Sequence, residues 1–435
     1  MQRTLFKQLV AWKKRKNRKP LLLQGARQVG KTWLIEEFGK REFKSVHTFN
    51  FQEEPELAGV FRDTLNPEKI IKTLELSLSL TINLSKDLIF FDEIQECPQA
   101  ITSLKFFNEK LPQAAVCCAG SHIGVTRLET SFPVGKIDSL TLYPMSFFEF
   151  ISNNHPEMIE LITKPEPLPE ILHNRLLALL KIYYAIGGMP EANAIYHDTK
   201  QLNPALFAEI RYVQNMIITG FKSDFAKHSG KVNANHIVRV FENIPTQIMK
   251  TNDYSVNRYR FKDVIPGYSK YGQLIGPIEW LIKSGLCYPV YVVEHPVVPL
   301  QANRKENMFK LMLLDIGLLN CMNNLSLSSI LQQDFGSYKG YLAENFTAQE
   351  LVAYGRQDLY SWRGRTSEVE FLLQNNDSIT PLEVKSGKRI ARTKSLDIYI
   401  LKYSPQISYM TSMQQYKKYR DRTNIPLYGL HTFIE

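Results

Sequence analysis

The stretch PLLLQGARQVGKTWLIEEFG, Pro20–Gly39, decides how the N-terminal half is read. Leu21–Leu23 form a short buried-strand signal that runs into GARQVGKT, Gly25–Thr32, a complete match to GxxxxGK[ST], and a helix-like TWLIEEFG follows. In the order strand, loop, helix, the backbone amides of the loop and the helix N-terminus converge on one point, where phosphate oxygens bind. Gly25, Ala26, Arg27, Gln28, Val29, Gly30, Lys31, Thr32 and Trp33 are the candidate nucleotide ligands. Lys31 brings a point charge to the β and γ oxygens of ATP, and Thr32 a hydroxyl to a magnesium ion. Arg27 either fixes the loop or contacts a neighbour.

Such a loop needs a carboxylate at the end of a buried strand, and LIFFDE, Leu88–Glu93, supplies one about sixty residues downstream. Asp92 is placed for the magnesium shell, and Glu93 to polarise a water for in-line attack, which makes the chain an ATP hydrolase. Further aliphatic runs at Val46–Phe51, Ala114–Cys118 and Ile137–Leu142 alternate with helical patterns, the signature of a parallel sheet with its ligand at the carboxyl ends of the strands. The strand after LIFFDE ends in Gly120–Ser121–His122; Ser121 is either a catalytic sensor of the γ-phosphate or part of a terminating turn. Arg127 and Lys136 are the local candidates for a charge-stabilising finger, against a solvated surface role.

Across 435 residues, 44% hydrophobic and 22% charged usage excludes disordered, collagen-like and disulfide-stapled classes. The length calls for two or three domains. The net charge of +10 lies at the two ends: Met1–Pro20 carries eight basic and no acidic residues, and Pro381–Glu435 ten basic against four acidic. The first of these reads as a short amphipathic helix with a basic tail. Five cysteines at spacings that fit neither zinc nor CxxC chemistry read as reduced, buried thiols. With no apolar run of about 18 to 20 residues and no signal-peptide pattern, a cytoplasmic protein without a membrane partner is expected.

Ser152–Pro169, with four prolines, reads as a linker or lid. Beyond it, Ile171–Ile186 has helical spacing and stops at Gly187–Gly188, and the step from Ile278–Leu286 into Tyr288–Val293 suits either a winged helix or a plain helical bundle. From about Gly340 a small α/β domain begins. There Glu344 lies on a helix-like GYLAENF, Glu370 on EVEF with Glu368 on the same face, and Glu383-x-Lys385 on an apolar strand. These are the groups needed to hold a second divalent metal and to activate water against a phosphodiester. Around them, Lys388, Arg389, Arg392, Lys394, Lys402, Lys417, Lys418, Arg420 and Arg422 interleave with Tyr399, Tyr403, Tyr409, Tyr416 and Tyr419, a surface for DNA or RNA or simply a basic one.

The motifs quoted, together with LTLYPMSFFEF (Leu140–Phe150), YYAIGGMPEA (Tyr183–Ala192), FKLMLLDIGLL (Phe309–Leu319) and PLEVKSGK (Pro381–Lys388), resemble prokaryotic AAA-type ATPases with a DUF4143 C-terminal region. The resemblance implies an AAA/ASCE-type P-loop NTPase domain over residues 1–151, a helical lid and winged-helix-like middle over 152–339, and a restriction-endonuclease-like PD-(D/E)xK domain over 340–435. It carries Gly25, Gly30, Lys31 and Thr32 over as nucleotide ligands, Asp92 and Glu93 as the acidic pair, and Glu344, Glu370, Glu383 and Lys385 as the nuclease-like set. Glu370 stands where the family usually has Asp, which shifts any metal by one methylene. Lys136 stands where an arginine is common and cannot make a bidentate phosphate contact. The expected activity is magnesium-dependent ATP hydrolysis coupled to a nuclease-like domain that acts on or senses nucleic acid. The alternatives are an ATP-gated nuclease and a nucleotide switch for a protein partner or a second copy of the chain.

Overall fold

In the computed structural model, which describes residues 1–121, 132–229, 231–247, 258–332, 338–387 and 393–434, contacts divide the chain into two compact units. Met1–Tyr143 with Lys283–Gly285 make the first; Pro144–Ile282 and Leu286–Glu435 make the second.

The first unit is built on strands β1 (Leu21–Gln24), β2 (Val46–Asn50), β3 (Leu88–Asp92), β4 (Ala115–Gly120) and β5 (Asp138–Thr141). All pair in parallel, in the spatial order β2-β3-β4-β1-β5. Every position of β3 and β4 is buried, the pattern of strands covered on both faces. The decisive feature of this order is that β4 lies between the strand that feeds the phosphate-binding loop and the strand that ends in Asp92. Phe91 anchors one layer of the core through edge contacts with Phe61 and Phe107 at 5.4 and 5.9 Å. The N-terminal helix runs over Phe6–Lys13 and buries Leu9 and Trp12.

The second unit carries one mixed sheet of eight strands: β6 (Cys287–Val293), β7 (Arg304–Leu313), β8 (Leu359–Arg363), β9 (Glu368–Asn375), β10 (Ser378–Val384), β11 (Tyr409–Ser412), β12 (Lys417–Lys418) and β13 (Thr423–Pro426). Their order is β12-β13-β11-β10-β9-β8-β6-β7. β6 and β7 form an antiparallel hairpin, and β6 then pairs in parallel with β8. The hairpin that follows the helix Tyr271–Lys283 thus shares its sheet with the C-terminal strands, and the sheet runs across residue 340.

The proline-rich stretch after Ile151, read as a linker or lid, is helical as far as Thr163 and irregular from there to Pro169. The helix Phe147–Asn154 runs into it, started by a capping box in which Ser146 and Glu149 exchange side-chain and backbone hydrogen bonds, and the helix Ile159–Thr163 follows. All five cysteines are buried and free of disulfides. Among the described residues no helix is long and apolar enough to cross a membrane.

Two of the distinctive sequence segments meet inside this unit. The Asp315 carboxylate caps the helix Ile316–Met322 through Leu318 N at 2.9 Å, and it accepts a second bond from Gly188 N at 2.5 Å. Gly187 sits at φ +78, and a Cβ there would collide with Asp315 and Gly317, so the GGMP and LLDIGLL segments are bound together by close backbone approach. The helix Tyr338–Ala353 adds three buried polar side chains. Asn345 accepts from Leu313 N at 2.7 Å, Gln349 from Ile316 N at 2.9 Å and Glu350 from Phe147 N at 2.9 Å.

Burial pushes the Glu350 carboxyl up to about 8, against the Phe147 hydrogen bond that favours its ionised form. A carboxyl raised in the folded state contributes fully below its unfolded value of 4.5 and loses that contribution as pH rises toward 8. The second unit should therefore lose roughly 3 to 5 kcal/mol between those limits. Glu350→Gln, which keeps the acceptor and cannot ionise, should flatten that slope in urea unfolding at pH 5 and pH 8; an unchanged slope would remove Glu350 as its source.

Candidate active site

At the carboxyl end of β1 the chain turns sharply. Gly25 lies at φ +156, and a Cβ on it would strike the carbonyl oxygen of Leu142, so only glycine fits there. Gln28 and Gly30 also have positive φ, and Gly30 opens the helix Lys31–Glu42. Lys31 is buried, and its ammonium donates to the carbonyl oxygens of Ala26 at 2.8 Å and Gly25 at 3.1 Å. Burial pushes its pKa down to about 8, opposed by the charges of Glu93 and Asp92. Trp33, the last of the loop candidates, is 43% exposed.

β3 brings the acids. Thr32 Oγ1 donates to Asp92 Oδ2 at 2.9 Å, joining the loop to the strand end across sixty residues of sequence. Burial raises the Asp92 carboxyl to about 6, with the Thr32 hydrogen bond opposing. Glu93 follows in a left-handed conformation at φ +49, which turns the chain off the sheet, and its carboxylate accepts from Gln95 Nε2 at 2.5 Å. Ser121 is buried just past the end of β4, between β1 and β3. Asn50, at the end of β2 opposite Asp92, was not read from sequence: its Nδ2 lies 3.5 Å from Asp92 Oδ2 while its Oδ1 accepts from Gln52 N and Glu53 N. A polar residue closing a strand next to the acidic one was the available signal. Of the finger candidates, Lys136 pairs with Glu109 at 2.9 Å, and Arg127, like His122, lies outside the described residues.

The second unit brings together Glu344, Glu370, Glu383 and Lys385. Lys385 pairs with Glu383, and Glu370 accepts from Val384 N at 3.0 Å. Burial raises both Glu370 and Glu383, and Lys385 opposes the rise. The residue missed was Lys310 on β7. Its ammonium, almost wholly buried, lies 2.9 Å from Glu344 and 2.5 Å from Glu368. Its sequence signal was a lysine inside the otherwise apolar FKLML. The basic stretch downstream divides: Tyr399 is core, edge-on to Trp362 at 5.2 Å, and Arg422 is paired with Asp397 and Asp421. Lys417, Lys418, Arg420 and the half-exposed Tyr419 remain at the surface, and Lys388, Arg389 and Arg392 lie outside the described residues.

With the loop, the acidic strand and the inserted strand in place, residues 17–151 match the AAA domain family. Residues 177–329 match a domain of unknown function, DUF8612, and residues 339–430 another, DUF4143. The chain carries an AAA-type P-loop ATPase domain and a DUF4143 domain. Similar solved structures include the Walker-type ATPase paby2304 of Pyrococcus abyssi, 14% identical over 73% of this chain and 94% of that one, with a TM-score of 0.46. The RuvB Holliday junction branch migration motor of Thermotoga maritima is 14% identical over 68% and 90%, with a TM-score of 0.32. The Orc1 protein of Aeropyrum pernix, solved in complex with DNA, is 12% identical over 76% and 90%, with a TM-score of 0.28. No curated protein matches the chain.

The donor sets of the AAA domain and the DUF4143 domain suit metals differently. Thr32 and Asp92 put two hard oxygen donors at one point, which suits magnesium, an ion that takes one or two protein ligands and fills the rest with phosphate and water. In the second unit two of the acids around the expected site of a second divalent ion, Glu344 and Glu368, are taken up by a lysine. The Lys310 ammonium already stands between Glu344 and Glu368, and among the described residues no three acidic, histidine or cysteine side chains group as a metal site. Removing Lys310 leaves buried carboxylates without their cation. Lys310→Met should cost about 3 to 5 kcal/mol in urea unfolding of the second unit; a loss below about 1 kcal/mol would mean that the cluster is neutral in the folded protein.

Proposed function

We propose that the AAA domain binds ATP with magnesium and hydrolyses it, and that nucleotide state governs how the C-terminal half engages nucleic acid. The observation that carries the first part is the 2.9 Å bond from Thr32 to Asp92, with Glu93 as the next residue. In this reading the amides of Gly25–Thr32 and the start of the helix Lys31–Glu42 cradle the phosphates. Lys31 leaves the carbonyls of Gly25 and Ala26 for β and γ oxygens, a short movement that exchanges two neutral acceptors for anionic ones. Thr32 and Asp92 would hold magnesium, which when bound neutralises charge on the β and γ oxygens. Glu93 takes a proton from a water as its oxygen forms a bond to the γ-phosphorus, the bond to the β–γ bridging oxygen breaks, and ADP and phosphate leave. Ser121, just past the end of the inserted strand, would report the presence of the γ-phosphate.

For the C-terminal half, cleavage is the less supported alternative, because Lys310 takes up Glu344 and Glu368, two of the acids gathered there. Engagement without cutting draws its support from the net positive charge at that end of the chain.

Lys31→Ala should lose ATP turnover by at least about a hundredfold, and Glu93→Gln should bind a fluorescent ATP analogue normally while turning ATP over about 100 to 10,000 times more slowly. Phosphate release unaffected by Lys31→Ala would dismiss the ATPase reading, and normal turnover by Glu93→Gln would dismiss Glu93 alone.

A further inference from the structure

Outside both sites, the second unit has a cleft of about 640 Å³ whose charged lining consists of Arg258, Arg260, Lys262, Lys270 and Arg363, with no carboxylate among them. The sequence RYRFK supplies three of the five. Arg258, Arg260 and Lys262 alternate with Tyr259 and Phe261, so an extended run turns its cations one way and its rings the other. The rings pack on the sheet: Tyr259 stacks on Phe309 at 6.0 Å and Phe261 meets it edge-on at 5.9 Å. Tyr259 N also donates to Phe309 O at 2.7 Å, which lays the run along β7, the edge strand.

The run is held from behind as well. The side chain of Gln247 bonds both backbone groups of Arg260, accepting from its N–H at 2.7 Å and donating to its carbonyl at 3.0 Å. Lys270 lies just before the helix Tyr271–Lys283, and Arg363 closes β8. None of the five cations forms an ion pair among the described residues, although Glu279 and Glu306 stand near Tyr271. Five cations without an ion pair among the described residues, of which only Arg363 faces a carboxylate, that of Glu368, make a polyanion site, unlike the C-terminal stretch, where Arg422 is neutralised by two aspartates.

Arg363 lies beside the acid–lysine cluster. It pairs across the sheet with Glu368, whose carboxylate meets Lys310. We infer that this cleft binds the sugar–phosphate backbone of a nucleic acid, with the half-buried ring of Tyr271, which lines it, available to exposed bases. The inference rests on the proposed nucleic-acid engagement and assigns it to β7, Arg363 and the RYRFK run rather than to Lys417–Arg420.

The test is fluorescence anisotropy of the full chain with short labelled single-stranded DNA, duplex DNA and RNA, over a salt series. Arg258→Gln/Lys262→Gln/Lys270→Gln changes only exposed side chains. It should keep the thermal midpoint and the ATP turnover measured without nucleic acid, bind at least about tenfold more weakly, and lower the slope of log K against log salt by about 2 to 3. If the triple variant unfolds early, Lys270→Gln alone should lower the slope by about 1. Wild-type affinity and slope in these variants, with binding lost instead in Lys417→Gln/Lys418→Gln, would overturn the cleft while leaving nucleic-acid engagement standing. No binding by the wild type at low salt would overturn both, and displacement by polyglutamate as readily as by unlabelled DNA would overturn the assignment to nucleic acid.

Discussion

A lysine ammonium taken out of water loses its hydration at a cost of several kcal/mol unless protein oxygens replace it. Both halves of this chain are arranged around that constraint. In the first unit, the loop after β1 folds so that two of its own carbonyls meet the Lys31 ammonium, with the Asp92 and Glu93 carboxylates opposing its deprotonation. In the second, burial alone would lower the pKa of Lys310, and the charges of Glu344, Glu368 and Glu370 outweigh it and raise it. The two environments differ in what they leave available. Neutral carbonyls release a lysine to a phosphate readily, whereas a pair of carboxylates at 2.9 and 2.5 Å holds it in place.

That difference separates a mobile charge suited to chemistry from a fixed one suited to structure. Lys31 sits next to a glycine-rich turn and a helix start, where backbone amides already point outward. Lys310 sits inside a strand whose neighbours are apolar and buried, with Glu344 reaching it from a helix and Glu368 from another strand. A group of acids that reads as a metal site when only the acids are counted changes character once a lysine from a distant strand is added.

The P-loop half was legible because its information is local. GARQVGKT and LIFFDE each contain their own strand, turn and functional group, and their meeting follows once both strands are parallel in one sheet. Asn50 was less visible, since a single asparagine after a short strand has no pattern of its own and matters only through the register that sets it opposite Asp92. Two of the segments that carry the family resemblance, GGMP and LLDIGLL, serve packing: Asp315 satisfies two backbone amides, and Gly187 has no room for a side chain. The helices inside Ser152–Pro169 were hidden because its asparagines and prolines are loop residues by composition, while the capping box that starts the first of them lies at Ser146, just upstream.

From sequence alone came the order of strand, loop and helix, the two acids after a buried strand, the location of the excess positive charge at the chain ends, and the acids of the C-terminal domain, each a property of residues close in the chain. Tertiary structure alone decided that β6 and β7 join the C-terminal strands in one sheet, that Lys310 thereby enters the acid cluster, and that the cations of RYRFK are brought together with Lys270 and Arg363. The physical reason is the same in each case. Hydrogen bonds between strands and pairing of buried charge act between residues tens of positions apart, and periodicity along the chain says which face a side chain takes without saying what it will meet there.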